Sequence, residues 1–192
     1  MFLGFSENFY HLYDNLLFEY SFNSIFLVLG VSFIVTIIGV TTAWLVTFFN
    51  FSGKKVFQWA LILPLAVPPY LLAYVFTEFF DYSGTANNFM RGLLSSESDI
   101  VFFPNIRTIY GAIAVFSFTL YPYVYMVARV AFMNISPSLI EASKLLGRNS
   151  ISTFFNLLIP LIRPAIIAGI ALVAMETLSD FGAVQHFAIP TF

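Results

Sequence analysis

Cysteine is absent from the 192 residues, so no disulfide framework, thiol nucleophile or thiolate metal site can be built. Charge is almost as scarce. Lys, Arg, Asp and Glu make up 9% of the chain and 59% is hydrophobic, where a soluble domain carries about 25% charged residues. That deficit excludes a water-solvated fold and makes lipid the solvent. Histidine occurs twice, at His11 and His186, far apart and without a neighbouring ligand pattern, so no metal site is assigned. No Gly-x-x-x-x-Gly-Lys-Ser/Thr loop occurs anywhere, which excludes nucleotide binding by that mechanism. The N-terminus has no basic segment ahead of a short apolar core, unlike a cleavable signal peptide.

The runs that are present read as an all-α integral membrane protein with about four spanning helices. Residues 1–22 interleave Phe and Tyr with Glu7, Asp14 and Glu19, a mixture suited to headgroup depth, and form an interfacial segment. Residues 23–49 carry no charge and exceed the roughly 20 residues needed to cross a hydrocarbon core. A short turn with Lys54 and Lys55 leads to a second span, about 56–80, which contains Pro64, Pro68 and Pro69. Each proline strips a backbone donor, so this helix is expected to bend and to pack inside protein, either lining a pathway or as plain irregular packing. Residues 78–108 form the longest polar interval, with turn chemistry at Asp81 to Gly84 and a short helix around Ala86 to Leu94, and read as an external loop. Further spans run over about 109–133 and 161–181, and residues 182–192 read as the start of another loop.

Between the last two spans lies the stretch 136–160, which mixes charge, turn residues and two short amphipathic patterns. Ser136 before Pro137 is a good helix start, and Ser138 with Glu141 offers a capping box two residues later. Leu139, Ile140, Ala142, Leu145 and Leu146 give an apolar face, and Gly147 is a natural left-handed stop. A second helix is expected from about Ser150 to Ile159, ended by Pro160. Lys54, Lys55, Arg129, Lys144, Arg148 and Arg163 fall on one side of this topology, against Arg91 and Arg107 on the other, which puts the helix-turn-helix in the cytoplasm.

The order Glu141-Ala142-Ser143, three residues, Gly147, then Leu158-Ile159-Pro160 resembles the "EAA" loop of ATP-binding-cassette (ABC) importer permeases. That pattern reads E-A-A, three residues, G, about nine residues, I, one residue, L-P; this chain has Ser at the third position and an unspaced Ile-Pro ending. The resemblance implies a type I ABC importer transmembrane domain over 23–192, here a partial bundle, in a bacterial inner membrane. It also implies that 136–160 is a coupling element docking on an ATPase subunit, with Glu141, Ala142, Ser143, Leu145, Leu146, Gly147 and Pro160 as its residues. Further partners implied are a substrate-binding protein and a second permease half or subunit, besides the bilayer. No nucleic-acid partner and no directly bound cofactor is expected, ATP being used by the partner. The implied permease catalyses no covalent step.

Glu176 and Asp180 sit four apart in the last span. A carboxylate deep in a bilayer costs about 2.5 to 3.5 kcal/mol and normally faces a bundle interior or water, so Glu176 is a pathway candidate. Asp180 is either pathway or interfacial. The runs 175–184, 190–192, 63–70 and 81–84 resemble the ferric-iron branch of these permeases, adding Pro68, Pro69 and Tyr70 to the pathway candidates. Carboxylate and phenolate oxygens suit a hard trivalent ion, although Tyr70, Tyr74 and Tyr82 fit equally as packing or belt aromatics. Related branches carry thiamine, polyamines or aminophosphonates, and a secondary transporter or membrane scaffold is the reading of another class. Four spans, a first span with no helix before it and an end inside a loop are expected of a fragment of a longer permease.

Overall fold

The computed structural model describes residues 17–93, 103, 106–187 and 189–191. Among them all regular structure is helical: α1 (Leu17–Phe48), α2 (Lys54–Ala60) with a 3-10 turn (Leu63–Ala66), α3 (Pro69–Phe80), α4 (Thr85–Leu93), α5 (Ile109–Met133), α6 (Pro137–Leu145), α7 (Ser150–Thr153), a π-helical segment (Phe154–Leu158), α8 (Ile159–Ser179) and α9 (Phe181–His186). Three stretches are long and apolar enough to span: α1, α5 and the run Ser150–Ser179 that joins α7, the π segment and α8. The pair Lys54–Ala66 and Pro69–Leu93 makes a fourth if its two parts are taken together.

Four expectations change. The first span begins at Leu17, not 23, so residues 17–22 are helical; residues 1–16 of the interfacial segment lie outside the described residues. Phe18, Phe22 and Phe26 recur every four residues and stack at 6.4 and 6.2 Å, extending the helix on its own aromatic ridge. The second span is broken rather than bent. Val67 and Pro68 each precede a proline, which drives them out of the helical region, and Pro68 sits at φ −56°, ψ 137°. Pro160 does not end a helix. It occupies the first turn of α8, where the missing donor has little cost, directly after a π segment in which Ile159 donates to Phe154 O and the tight i−4 spacing is relaxed. The last span therefore runs from Ser150, not 161. Finally, 182–192 is not all loop, because α9 forms there.

The described residues fall into two compact units. The first takes residues up to Val31, Val67–Thr119 and Glu176 onward. Here α3 packs on α9 and α4, and the buried Asn87 of α4 donates to Asp81 O (2.9 Å) while its Oδ1 accepts from Phe103 N–H (3.1 Å). One amide side chain thus ties the turn after α3 to the segment before α5.

The second unit is Ser32–Ala66 with Leu120–Met175. Its core holds Val35, Val40 and Ala43 of α1, Val124, Tyr125 and Phe132 of α5, and Ile162 and Val173 of α8. Gly39 of α1 and Gly169 of α8 both face Val124: a Cβ would lie 2.9 Å from the Tyr125 amide nitrogen in the first case and 3.1 Å from Val124 Cα in the second. In lipid, where apolar burial gains nothing over the tails, such close backbone approach is what holds helices together.

Candidate functional site

The helix-turn-helix belongs to the second unit. Ser136 is extended (φ −60°, ψ 130°) and Pro137 opens α6, so the earlier of the two starts is taken. The capping box does not form; the Ser136 hydroxyl pairs with that of Ser138 at 2.7 Å. At the other end Gly147 stands at φ 75°, Gly147 N–H donates to Lys144 O (2.9 Å) and Arg148 N–H to Ser143 O (3.2 Å). This is a Schellman stop, which needs the left-handed residue glycine supplies. Asn149 then caps α7 by accepting from Ser152 N–H at 2.7 Å. The two helices are tied by the buried hydroxyls of Ser143 and Thr153, 2.8 Å apart.

This geometry divides the predicted coupling residues. Glu141, Ala142, Leu145, Leu146 and Gly147 are all exposed, the two leucines at 88% and 79%. Ser143 turns inward as the tie to α7, and Pro160 lies in α8. Two adjacent leucines are thus offered almost whole to the surrounding phase, on a turn held by the two Schellman bonds, the Asn149 cap and the Ser143–Thr153 tie.

All five pathway candidates fall in the first unit. Pro68 and Pro69 make the break and the first turn of α3. Asp180 follows the last residue of the helix that carries Glu176. The helix stops at Ser179, and Asp180, at φ −86° and ψ 70°, caps α9 by accepting from Ala183 N–H at 3.0 Å. A Cβ on Gly182 would stand 3.7 Å from both Asp180 Oδ1 and Tyr70 Cβ, so the starts of α3 and α9 converge. Glu176 is exposed in the last turn of α8, and its carbonyl accepts from Asp180 N–H at 3.1 Å.

Two polar contacts were not foreseen. In the first unit the buried Thr77 hydroxyl lies 2.8 Å from Ala73 O and 2.6 Å from His186 Nε2, with Tyr74 packed at 5.4 Å from that imidazole ring. In the second, Gln58 accepts twice: Arg129 Nη2 donates to its Oε1 (2.9 Å) and Tyr125 Oη to its carbonyl (3.1 Å). A lone Gln in the apolar run 56–63 and a Thr in 70–80 were the available signals; partners 71 and 109 residues away were not.

The family model for the binding-protein-dependent transport system inner membrane component matches residues 35–188. The chain belongs to this family. As a member it is a multi-pass inner-membrane protein, and the match takes in both the helix-turn-helix and all five pathway candidates. Similar family proteins include the sulfate transport system permease protein CysT of Salmonella typhimurium, 27% identical over 79% of this chain and 52% of that protein. The molybdenum transport system permease protein ModB of Escherichia coli is 31% identical over 78% and 62%. The Fe(3+)-transport system permease protein FbpB 2 of Haemophilus influenzae is 25% identical over 81% and 26%. The chain spans about half the length of the sulfate relatives it matches. Three cargo names among the relatives place it in the family without singling out the ferric branch.

Proposed function

We propose that the chain forms part of the permease subunit of an ABC importer and that residues 136–160 are its cytoplasmic coupling element. The observation that carries this is the exposed Leu145–Leu146 pair beside a Schellman turn at Gly147. Charge supports the sidedness: the second unit contains all six of Lys54, Lys55, Arg129, Lys144, Arg148 and Arg163 and a single carboxylate, Glu141. An ATPase subunit takes up the leucines, a binding protein delivers cargo on the far side, and a second permease half completes the bundle. ATP binds to the partner. Glu141→Arg in the complete reading frame, expressed with its adjacent transport genes, is expected to abolish uptake and release the ATPase while the protein still inserts. Normal uptake by that variant would end the coupling assignment.

For the cargo, ferric iron is favoured by the carboxylates of Glu176 and Asp180 and the phenol of Tyr70 in one unit, all hard oxygen donors. A sulfate-like oxyanion is the second reading, favoured by the relatives named for sulfate and molybdenum. Uptake of labelled ferric iron, sulfate and molybdate by transport-deficient cells separates them. Iron uptake alone retains the first reading; sulfate or molybdate uptake replaces it.

A further inference from the structure

A recess of about 250 Å³ opens in the second unit, where the end of α1 meets α6 and α7. One wall is apolar and aromatic, formed by Trp44, Phe48, Phe49 and Leu158; the other carries Lys144 and Ser150. Trp44 is held in place between Phe49 (5.0 Å) and Phe154 (4.4 Å). Thr153, just before the π segment, and Leu158, its last residue, both line the recess, and such a helical irregularity is frequent at functional sites.

Lys144 is the only charged residue lining this recess, and its ammonium has no hydrogen-bond or ion-pair partner among the described residues. Glu141, the one carboxylate of the unit, lies a turn away on α6 without pairing to it. Lys54, by contrast, is engaged at the same end of α1, donating to Thr47 O (3.3 Å) and Asn50 Oδ1 (3.5 Å). The recess therefore presents an exposed ammonium with no protein counter-ion together with the exposed Ser150 hydroxyl, in a unit of six basic residues and one acidic residue. Its depth is also defined: Trp44, Phe48 and Phe49 close the first uncharged span, the level at which aromatic side chains meet headgroups.

We propose that this recess binds the phosphate of an anionic phospholipid, with Lys144 and Ser150 on the phosphodiester and the upper acyl chain against Trp44 and Phe48. The volume is below the about 300 to 1,000 Å³ of drug-sized pockets, which fits a headgroup with its chains left in the bilayer. The site lies at the root of the helix-turn-helix, so lipid occupancy braces the element that carries Leu145 and Leu146. It stands whichever ion is transported.

The test uses the intact transporter with its ATPase subunits in nanodiscs containing photoactivatable phosphatidylglycerol or photoactivatable phosphatidylcholine, with cross-links mapped by mass spectrometry. Labelling of residues 44–49 and 144–153 by the anionic lipid is expected to exceed that by the zwitterionic lipid about fivefold. Lys144→Gln should remove the difference and Lys144→Arg should keep it. Equal labelling by the two lipids would make the recess ordinary lipid annulus and overturn the proposal. Loss of labelling on adding inorganic phosphate would reassign it to a free anion, and no labelling in the complex would assign it to the ATPase interface. None of these outcomes depends on uptake, so failure here is distinguishable from failure of the importer reading.

Discussion

Gly147 is needed for its backbone rather than for space. Its φ of 75° is where a side chain is disfavoured, yet a Cβ there would meet no atom within 4 Å. Gly147→Ala should therefore cost about 1 kcal/mol through the left-handed conformation alone. Gly147→Asn should cost less, since Asn tolerates that region. Thermal denaturation of the solubilised transporter reads the difference, and an Ala variant as stable as the parent would show that the turn is not held as described. Ser143 shows the other side of the same stretch. By position it belongs to the coupling pattern, but its hydroxyl pairs with that of Thr153, so its contribution is to hold α7 against α6.

At the scale of elements, proline and glycine decide where helices break and where they touch. Three prolines in one run gave different outcomes: Pro64 sits in a 3-10 turn, while the adjacent Pro68 and Pro69 force a break. Pro160 is carried inside a continuous stretch because the π segment and the first turn of α8 absorb it, and Pro164 stands inside α8 beyond that turn. The glycines of α1 are unequal for a similar reason. At Gly39 an added Cβ meets the backbone nitrogen of Tyr125 at 2.9 Å, which cannot yield without moving α5; at Gly30 it meets Cδ1 of Ile113 at 2.7 Å, the tip of a flexible side chain. Gly39→Ala is thus expected to destabilise by about 1 to 3 kcal/mol, and Gly30→Ala by clearly less. Thermal midpoints of the two variants check the order, and equal losses would contradict the assigned contact.

For the whole molecule the distribution of charge is the main feature. Among the described residues five of the six carboxylates belong to the first unit and six of the eight basic residues to the second. The pathway proposal uses the first of these. Asp180→Asn keeps an oxygen able to cap α9 but removes the charge, whereas Asp180→Ala removes both and should cost about 1 kcal/mol. If the carboxylate serves the cargo, Asp180→Asn will impair uptake at unchanged thermal stability, and Glu176→Gln will do the same. Uptake retained by both would assign the two acids to structure.

Composition alone was enough to specify a lipid-solvated helical protein, because a chain with 9% charge cannot cover itself for water. The Ser-Pro start and Gly stop of α6 were legible for a local reason: caps depend on residues within one turn of each other. Ile109–Met133 was legible because its apolar run has polar residues at both edges. The junction at Val67–Pro68 was open to the same local logic, since a residue before proline avoids the helical region. What only the tertiary structure decided are pairings across long separations and the continuity of Ser150–Ser179. Gln58 with Arg129, Thr77 with His186 and Tyr70 beside Gly182 join residues 71 to 112 apart, and no periodicity or propensity encodes such a meeting. A proline reads as a stop from its neighbours alone; whether a π turn admits it is settled by the packing around Phe154 and Leu158, both buried in the second unit.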